Sequence, residues 1–250
     1  METQAVIVTE GLTKMYNGQT AVDHLSFQVN EGEIFGFLGP NGAGKTTTLL
    51  MLLGLTEPSS GTACVLGLEP IRNPIKVKRL IGYLQENMGF YQDLNARQML
   101  RYIADLNHIP ADAADERIEQ ALDAVGLIKE AEKKIGAYSR GMRQRLGIAE
   151  ILIKQPKIAF LDEPTLGLDP DATNRMMALI QTLSKKQKMT ILLSSHLLDQ
   201  VEKTCDRIGI MLNGRMVAQG PMEQLAHEKL GVGKEKYTLE EIYMKYFQEG

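Results

Sequence analysis

The 250 residues set 28 lysines and arginines against 31 aspartates and glutamates, for a formal net charge of -3. That balance excludes the basic excess of a nucleic-acid-binding chain, and no apolar run approaches the roughly 20 residues that a membrane-spanning helix needs. The two cysteines, Cys64 and Cys205, lie far apart without metal-ligand spacing, which points to reduced structural thiols.

In chain order, Glu2 and Glu10 near the start, with no basic segment leading into a long apolar one, argue against a leader. Residues 5–8 and 25–29 read as strands, the second by period-two alternation. The turn Asn30-Glu31-Gly32-Glu33 leads into the apolar run 34–38, which reads as a buried strand. Next comes Gly39-Pro40-Asn41-Gly42-Ala43-Gly44-Lys45-Thr46-Thr47, which satisfies G-x-x-x-x-G-K-[ST]. Residues 47–53 after it read as a buried helix closed by Gly54. A strand, a glycine-rich turn and a helix N-terminus aim backbone N–H groups and the positive end of the helix dipole at phosphate. All nine loop residues are therefore candidates for binding a nucleoside triphosphate. Lys45 is expected to reach the β- and γ-phosphates, and the Thr46 hydroxyl to ligate Mg²⁺.

Further along, Met99, Leu100, Ile103 and Leu106 have helical spacing within 94–108, and Pro110 is expected to end that helix. Asp112 is placed to cap the next one, whose apolar face includes Ile118, Ala121, Leu122 and Val125, with Gly126 at its close. A third helix opens at Tyr138-Ser139-Arg140-Gly141-Met142, capped by Ser139, and its serine and glycine make a second anion site. One chain does not need two γ-phosphate sites, whereas two chains related by a two-fold axis could complete each other's.

The runs 158–161 and 190–193 suit parallel strands buried on both faces, with a helix over 176–183 crossing between them. An α/β core with a helical insertion from about the late 80s to the 150s follows. Asp162-Glu163 end the first of these strands, at the sheet edge where α/β folds hold ligands. Asp162 is the expected Mg²⁺ partner, and Glu163 the acceptor of a proton from the attacking water. In the tail, Thr238 and Glu241 form a capping box. Leu239, Ile242, Tyr243, Tyr246 and Phe247 make an apolar face expected to dock on the body.

Taken together, these motifs resemble the ATP-binding cassette (ABC) superfamily of ATPases over about residues 5 to 225. The resemblance implies an α/β fold, a P-loop NTPase core with an N-terminal antiparallel β subdomain and an inserted helical subdomain. The cassette would occupy residues 1–230, with about 87–155 inserted, and 231–250 would form a C-terminal helical extension. Ser139, Arg140, Gly141 and Met142 look like the signature, usually written L-S-G-G-Q, which closes over ATP in trans; Arg140 and Met142 depart from it. Tyr16 matches the aromatic that stacks on adenine. Asp169 sits in a segment resembling the D-loop, and His196 resembles the switch histidine that contacts γ-phosphate. At the Q-loop the family usually reads Pro then Gln where this chain has Gln85 then Glu86, so either residue could fill that role near Mg²⁺.

The catalytic set implied is Glu163, His196 and Lys45, with ATP and Mg²⁺ as cofactors. Implied partners are a second cassette, as a homodimer, and separate membrane-spanning permease subunits whose coupling helix meets residues 84–92 and the helical insertion; no nucleic acid is expected. The chain would then be cytoplasmic, peripheral on the inner face of the cell membrane. Its tail resembles that of bacterial drug- and lipid-exporting cassettes, including those of antibiotic or lantibiotic resistance, which favours export. The alternative is a soluble ABC ATPase in an assembly or scaffold complex without transport.

Overall fold

The computed structural model describes residues 4–230 and 238–249, so the acidic start at Glu2 and the expected boundary near residue 231 lie outside the described residues. The chain opens with β1 (Ala5–Tyr16), β2 (Gln19–Asn30), β3 (Ile34–Leu38), α1 (Lys45–Leu52), β4 (Ser60–Val65), α2 (Pro74–Leu80) and β5 (Ile81–Leu84). A helical stretch follows: α3 (Ala96–Leu106), α4 (Ala111–Ala124), two short 3-10 turns and α5 (Arg140–Leu152). The chain then returns to alternation with β6 (Ile158–Asp162), α6 (Pro170–Gln187), β7 (Thr190–Ser195), α7 (Leu198–Thr204), β8 (Arg207–Leu212) and β9 (Arg215–Gly220). It closes with α8 (Met222–Leu230) and α9 (Leu239–Glu249).

Two sheets result. The antiparallel one has the order β2-β1-β4, and the six-stranded one the order β5-β6-β7-β3-β8-β9. Strands of the larger sheet run parallel except β9, which pairs antiparallel with β8. Period-two alternation divides its side chains between two apolar layers. Phe35, Phe37, Ile158, Phe160 and Leu192 face the small sheet and α1, while Ile34, Leu38, Ala159, Leu161, Ile191 and Leu193 face the other way, towards α3, α5 and α6. Phe27 of the small sheet meets Phe37 edge-on at 4.9 Å between centroids, a contact worth about 1 kcal/mol beyond the area it buries.

Several local expectations shift. The first two strands run well past the apolar residues, because the hairpin ladder carries polar positions too; the Phe27 N–H, for instance, donates to Thr9 Oγ1 at 3.0 Å. The helix after the phosphate loop starts at Lys45, two residues early, and the crossover helix spans 170–187. Asn95 caps α3 in a reciprocal box with Gln98, and the helix ends at Leu106 before Pro110 can stop it, where the Asn107 amide donates to Ile103 O. Asp112 is not the cap of α4. Pro110 takes that position, because its fixed φ presets the entry, and Asp112 sits in the first turn, where its charge favours the dipole.

The tail capping box forms: Glu241 accepts from the Thr238 N–H at 2.9 Å and Thr238 Oγ1 from the Glu241 N–H at 3.3 Å. Leu239, Ile242 and Tyr246 are buried against the body, and the Leu239 N–H donates to Glu202 of α7. Phe247 departs from the expected docking face. It is 50% exposed and stacks on Tyr243, on the flank that the i, i+3, i+7 stripe leaves outside. No helix among the described residues is long and apolar enough to cross a membrane.

Candidate nucleotide-binding and hydrolytic site

β3, β6 and β7 are adjacent and parallel, so their C-terminal ends bring Gly39–Thr47, Asp162-Glu163 and Ser194-Ser195-His196 to one edge of the sheet. The loop turns through Gly44 at φ +100°, where a Cβ would lie 2.5 Å from Ala21 O; only glycine fits that approach. α1 starts there with no side-chain cap, so its first N–H groups are free to meet an anion. Lys45 is 6% exposed. Its ammonium donates to Gly39 O at 2.7 Å and Pro40 O at 3.2 Å, bracing the loop from within.

The Thr46 hydroxyl lies 2.9 and 3.2 Å from the two Asp162 oxygens. A hydroxyl and a buried carboxylate side by side are the hard-oxygen pair that Mg²⁺ accepts while keeping other positions for phosphate and water, so these residues fit the ion. Ser194 fixes that carboxylate. Its hydroxyl donates to Asp162 Oδ1 at 2.6 Å and accepts the Glu163 N–H at 3.0 Å. Ser194 lies near the end of β7, and the β6–β7 register brings it opposite Asp162. Ser194→Ala would remove two buried hydrogen bonds, leaving Asp162 Oδ1 with the Thr46 hydroxyl and the Glu163 N–H with the Ser194 carbonyl. We expect a loss of about 1–3 kcal/mol of stability, read by urea unfolding, together with weakened Mg²⁺-dependent turnover.

Glu163 holds a left-handed backbone at φ +49°, rare for a residue with a long side chain. Its carboxylate is buried. Oε2 lies 2.9 Å from His196 Nδ1, and Oε1 lacks a hydrogen bond but sits 3.7 Å from the Lys45 ammonium. An ionised carboxylate only accepts, so the His196 pairing calls for a proton on Nδ1.

Other expected residues divide. Tyr16 is 43% exposed with Lys14 over its ring at 4.9 Å, leaving aromatic surface for a base. Asp169 caps α6 by accepting from the Ala172 N–H at 2.8 Å, a local use of its carboxylate. Ser139 caps α5, accepting from the Met142 N–H at 3.2 Å, and Met142 packs on the apolar layer behind. The Arg140 guanidinium lies against Gly167, where a Cβ would come within 2.5 Å of Nη1; Gly141 approaches Ala172 in the same way. The signature and the Asp169 segment are thus one packed surface.

Neither Gln85 nor Glu86 is brought into hydrogen bonding with Thr46 or Asp162; both are exposed, and Glu86 accepts from Asn87. Tyr83, two residues before Gln85, meets Asp162 instead. Burial and then Asp162, by charge and hydrogen bond, push its phenol up to about 12.

A family model described as ABC transporter matches residues 22–166. The bacitracin transport ATP-binding protein BcrA of Bacillus licheniformis is 44% identical over 220 residues, 88% of this chain and 71% of that protein. A solved ATP-binding subunit of an ABC transporter superposes with a TM-score of 0.85 at 28% identity, covering 97% of this chain and 99% of that one. CbiO1 of Clostridium perfringens, part of the ABC transporter complex cbiONQ, gives 0.83 at 28% identity, covering 98% and 99%. A family match over more than half of the chain joins a loop, a carboxylate pair and a histidine gathered at one sheet edge, and the chain belongs to the ABC transporter family as an ATP-binding cassette.

Proposed function

We propose that this cassette hydrolyses Mg·ATP as one of a pair of identical subunits, and so powers export through separate membrane-spanning chains. The observation that carries this is the buried Lys45–Glu163 pair, with His196 at its exposed edge, beside the Thr46–Asp162 pair. Glu163 takes the proton of an in-line water, and its burial keeps bulk water from competing for that oxygen. His196 orients Glu163 and the water, and Lys45 turns from the loop carbonyls to the β- and γ-phosphates. When bound, Mg²⁺ would supply positive charge against the phosphate oxygens, held by Thr46 and Asp162. Tyr16 stacks on the base.

Ser139, Arg140 and Gly141 close over the γ-phosphate of the second subunit's ATP. Supporting this, no hydrogen bond joins them to the loop of their own chain among the described residues, and their helix N-terminus is exposed. The cassette then sits at the inner membrane face, held by its permease partners. Likeness to a bacitracin transport protein supports the transport role.

The test is phosphate release by the purified chain. We expect turnover with Mg²⁺, background rates in excess EDTA, and background rates for Lys45→Ala with Mg²⁺ present. Turnover indifferent to both changes would overturn the assignment. Co-purification with a chain carrying several apolar spans, rather than with soluble proteins, separates transport from a scaffold role.

A further inference from the structure

Beyond Asp162 the chain leaves the sheet, so no strand ladder holds the residues that follow. Glu163 has φ +49° and precedes Pro164, whose ring narrows the backbone choices of the residue before it. Such a conformation persists only where its surroundings over-determine it. The turn itself supplies one restraint, the Leu166 N–H donating to Glu163 O at 3.1 Å. Two more come from side chains that lie outside the hydrolytic site.

Gln144 supplies the first of these. It shares a buried face of α5 with Ile148 and Ile151, and is only 5% exposed. Its amide nitrogen donates to Pro164 O at 3.2 Å, across 20 residues of chain. An apolar side chain of that length would fill the position without the cost of burying an amide, so the bond is what the glutamine adds. The second restraint comes from α7. Thr165, buried, donates from its hydroxyl to Gln200 Oε1 at 2.9 Å. Gln200 stands four residues after His196, whose Nδ1 is itself 2.9 Å from Glu163 Oε2. The two residues that follow Glu163 are therefore each tied to a different helix.

We infer that Gln144 and Gln200 are positioning residues for ATP hydrolysis. By holding Pro164 from α5 and Thr165 from α7, they keep the Glu163 carboxylate aimed at His196 and the water. This rests on the hydrolysis reading above and deepens it by naming what aims its base. No hydrogen bond joins either glutamine to Lys45, Thr46, Asp162 or His196 among the described residues, so their effect passes through the Glu163 turn.

The test measures phosphate release and, separately, ATP affinity for Gln144→Met and Gln200→Met, each alone and combined with Glu163→Gln. Methionine keeps the length of glutamine and removes its amide. A misplacement of about 1 Å can cost about 10²-fold in rate, so each single variant should lose about ten- to a hundredfold in kcat. ATP affinity and KM should stay within about twofold of wild type, because the ground-state contacts to nucleotide are untouched. On the Glu163→Gln background neither methionine should cost anything further, since there is no base left to aim. Glutamines that only stabilise their helices would lower kcat equally on both backgrounds, through the folded fraction that thermal melting reports. Wild-type kcat for either single variant, or a loss kept in full on Glu163→Gln, overturns the inference and leaves the hydrolysis reading standing. If Gln144→Met does not fold, the half-buried Gln200 decides by the same two comparisons. Wild-type turnover by Glu163→Gln itself overturns both.

Discussion

Glu163→Gln is expected to cut ATP turnover by about 10²- to 10⁴-fold, the usual worth of a positioned general base, while ATP binding is kept. The amide has the same shape and can still meet His196, so the left-handed backbone at φ +49° and its bond to Ser194 survive. What disappears is the carboxylate placed to take a proton from water, together with a buried negative charge 3.7 Å from Lys45. Losing that charge frees Lys45 for phosphate and removes repulsion against the triphosphate. The variant should therefore hold ATP at least as tightly as wild type and accumulate as an ATP-bound dimer, seen by light scattering with and without nucleotide. His196→Ala should cost less, since His196 positions Glu163 and its loss leaves the base in place. Near-wild-type phosphate release by Glu163→Gln would remove Glu163 from the mechanism.

Much of this was legible in the residues. The phosphate loop announces itself because only glycine tolerates the approach at Gly44, and that constraint is written in sequence. Bare apolar runs ending in Asp162-Glu163 and Ser194-Ser195-His196 marked parallel strands, and parallel strands in register put their ends together. What stayed hidden depends on register and reach. Ser194 bonds both Asp162 and Glu163 only because β6 lies directly against β7. Tyr83 meets Asp162, although the resemblance pointed to Gln85 or Glu86, because alternation along β5 sends Gln85 and Tyr83 to the same face but only Tyr83 still lies within the sheet. Likewise the Asp112 cap failed because a proline two residues earlier had already set the entry angle.

Two variants that are each inactive should recover activity when mixed, if the site is shared between subunits. Lys45→Ala removes the loop cation proposed to bind phosphate but leaves the signature surface untouched. Gly141→Asp does the reverse. It puts a carboxylate in the first turn of α5, where the helix dipole favours it for stability but where it repels a γ-phosphate arriving from the partner. A Cβ at Gly141 would come 3.2 Å from Ala172 Cβ, a contact that a slight shift relieves, so the variant should fold. In a one-to-one mixture about half of the dimers are mixed, and each mixed dimer has one intact composite site. Phosphate release should then rise from background in either variant alone to roughly a quarter of the wild-type rate if the two sites fire independently. If both sites must close together for either to turn over, the mixture stays silent but still dimerises with ATP, which light scattering detects. A mixture that neither hydrolyses nor dimerises, while Glu163→Gln alone dimerises readily, would mean that each chain completes its own site and that Ser139, Arg140 and Gly141 act within the subunit, through the contact of Arg140 with Gly167.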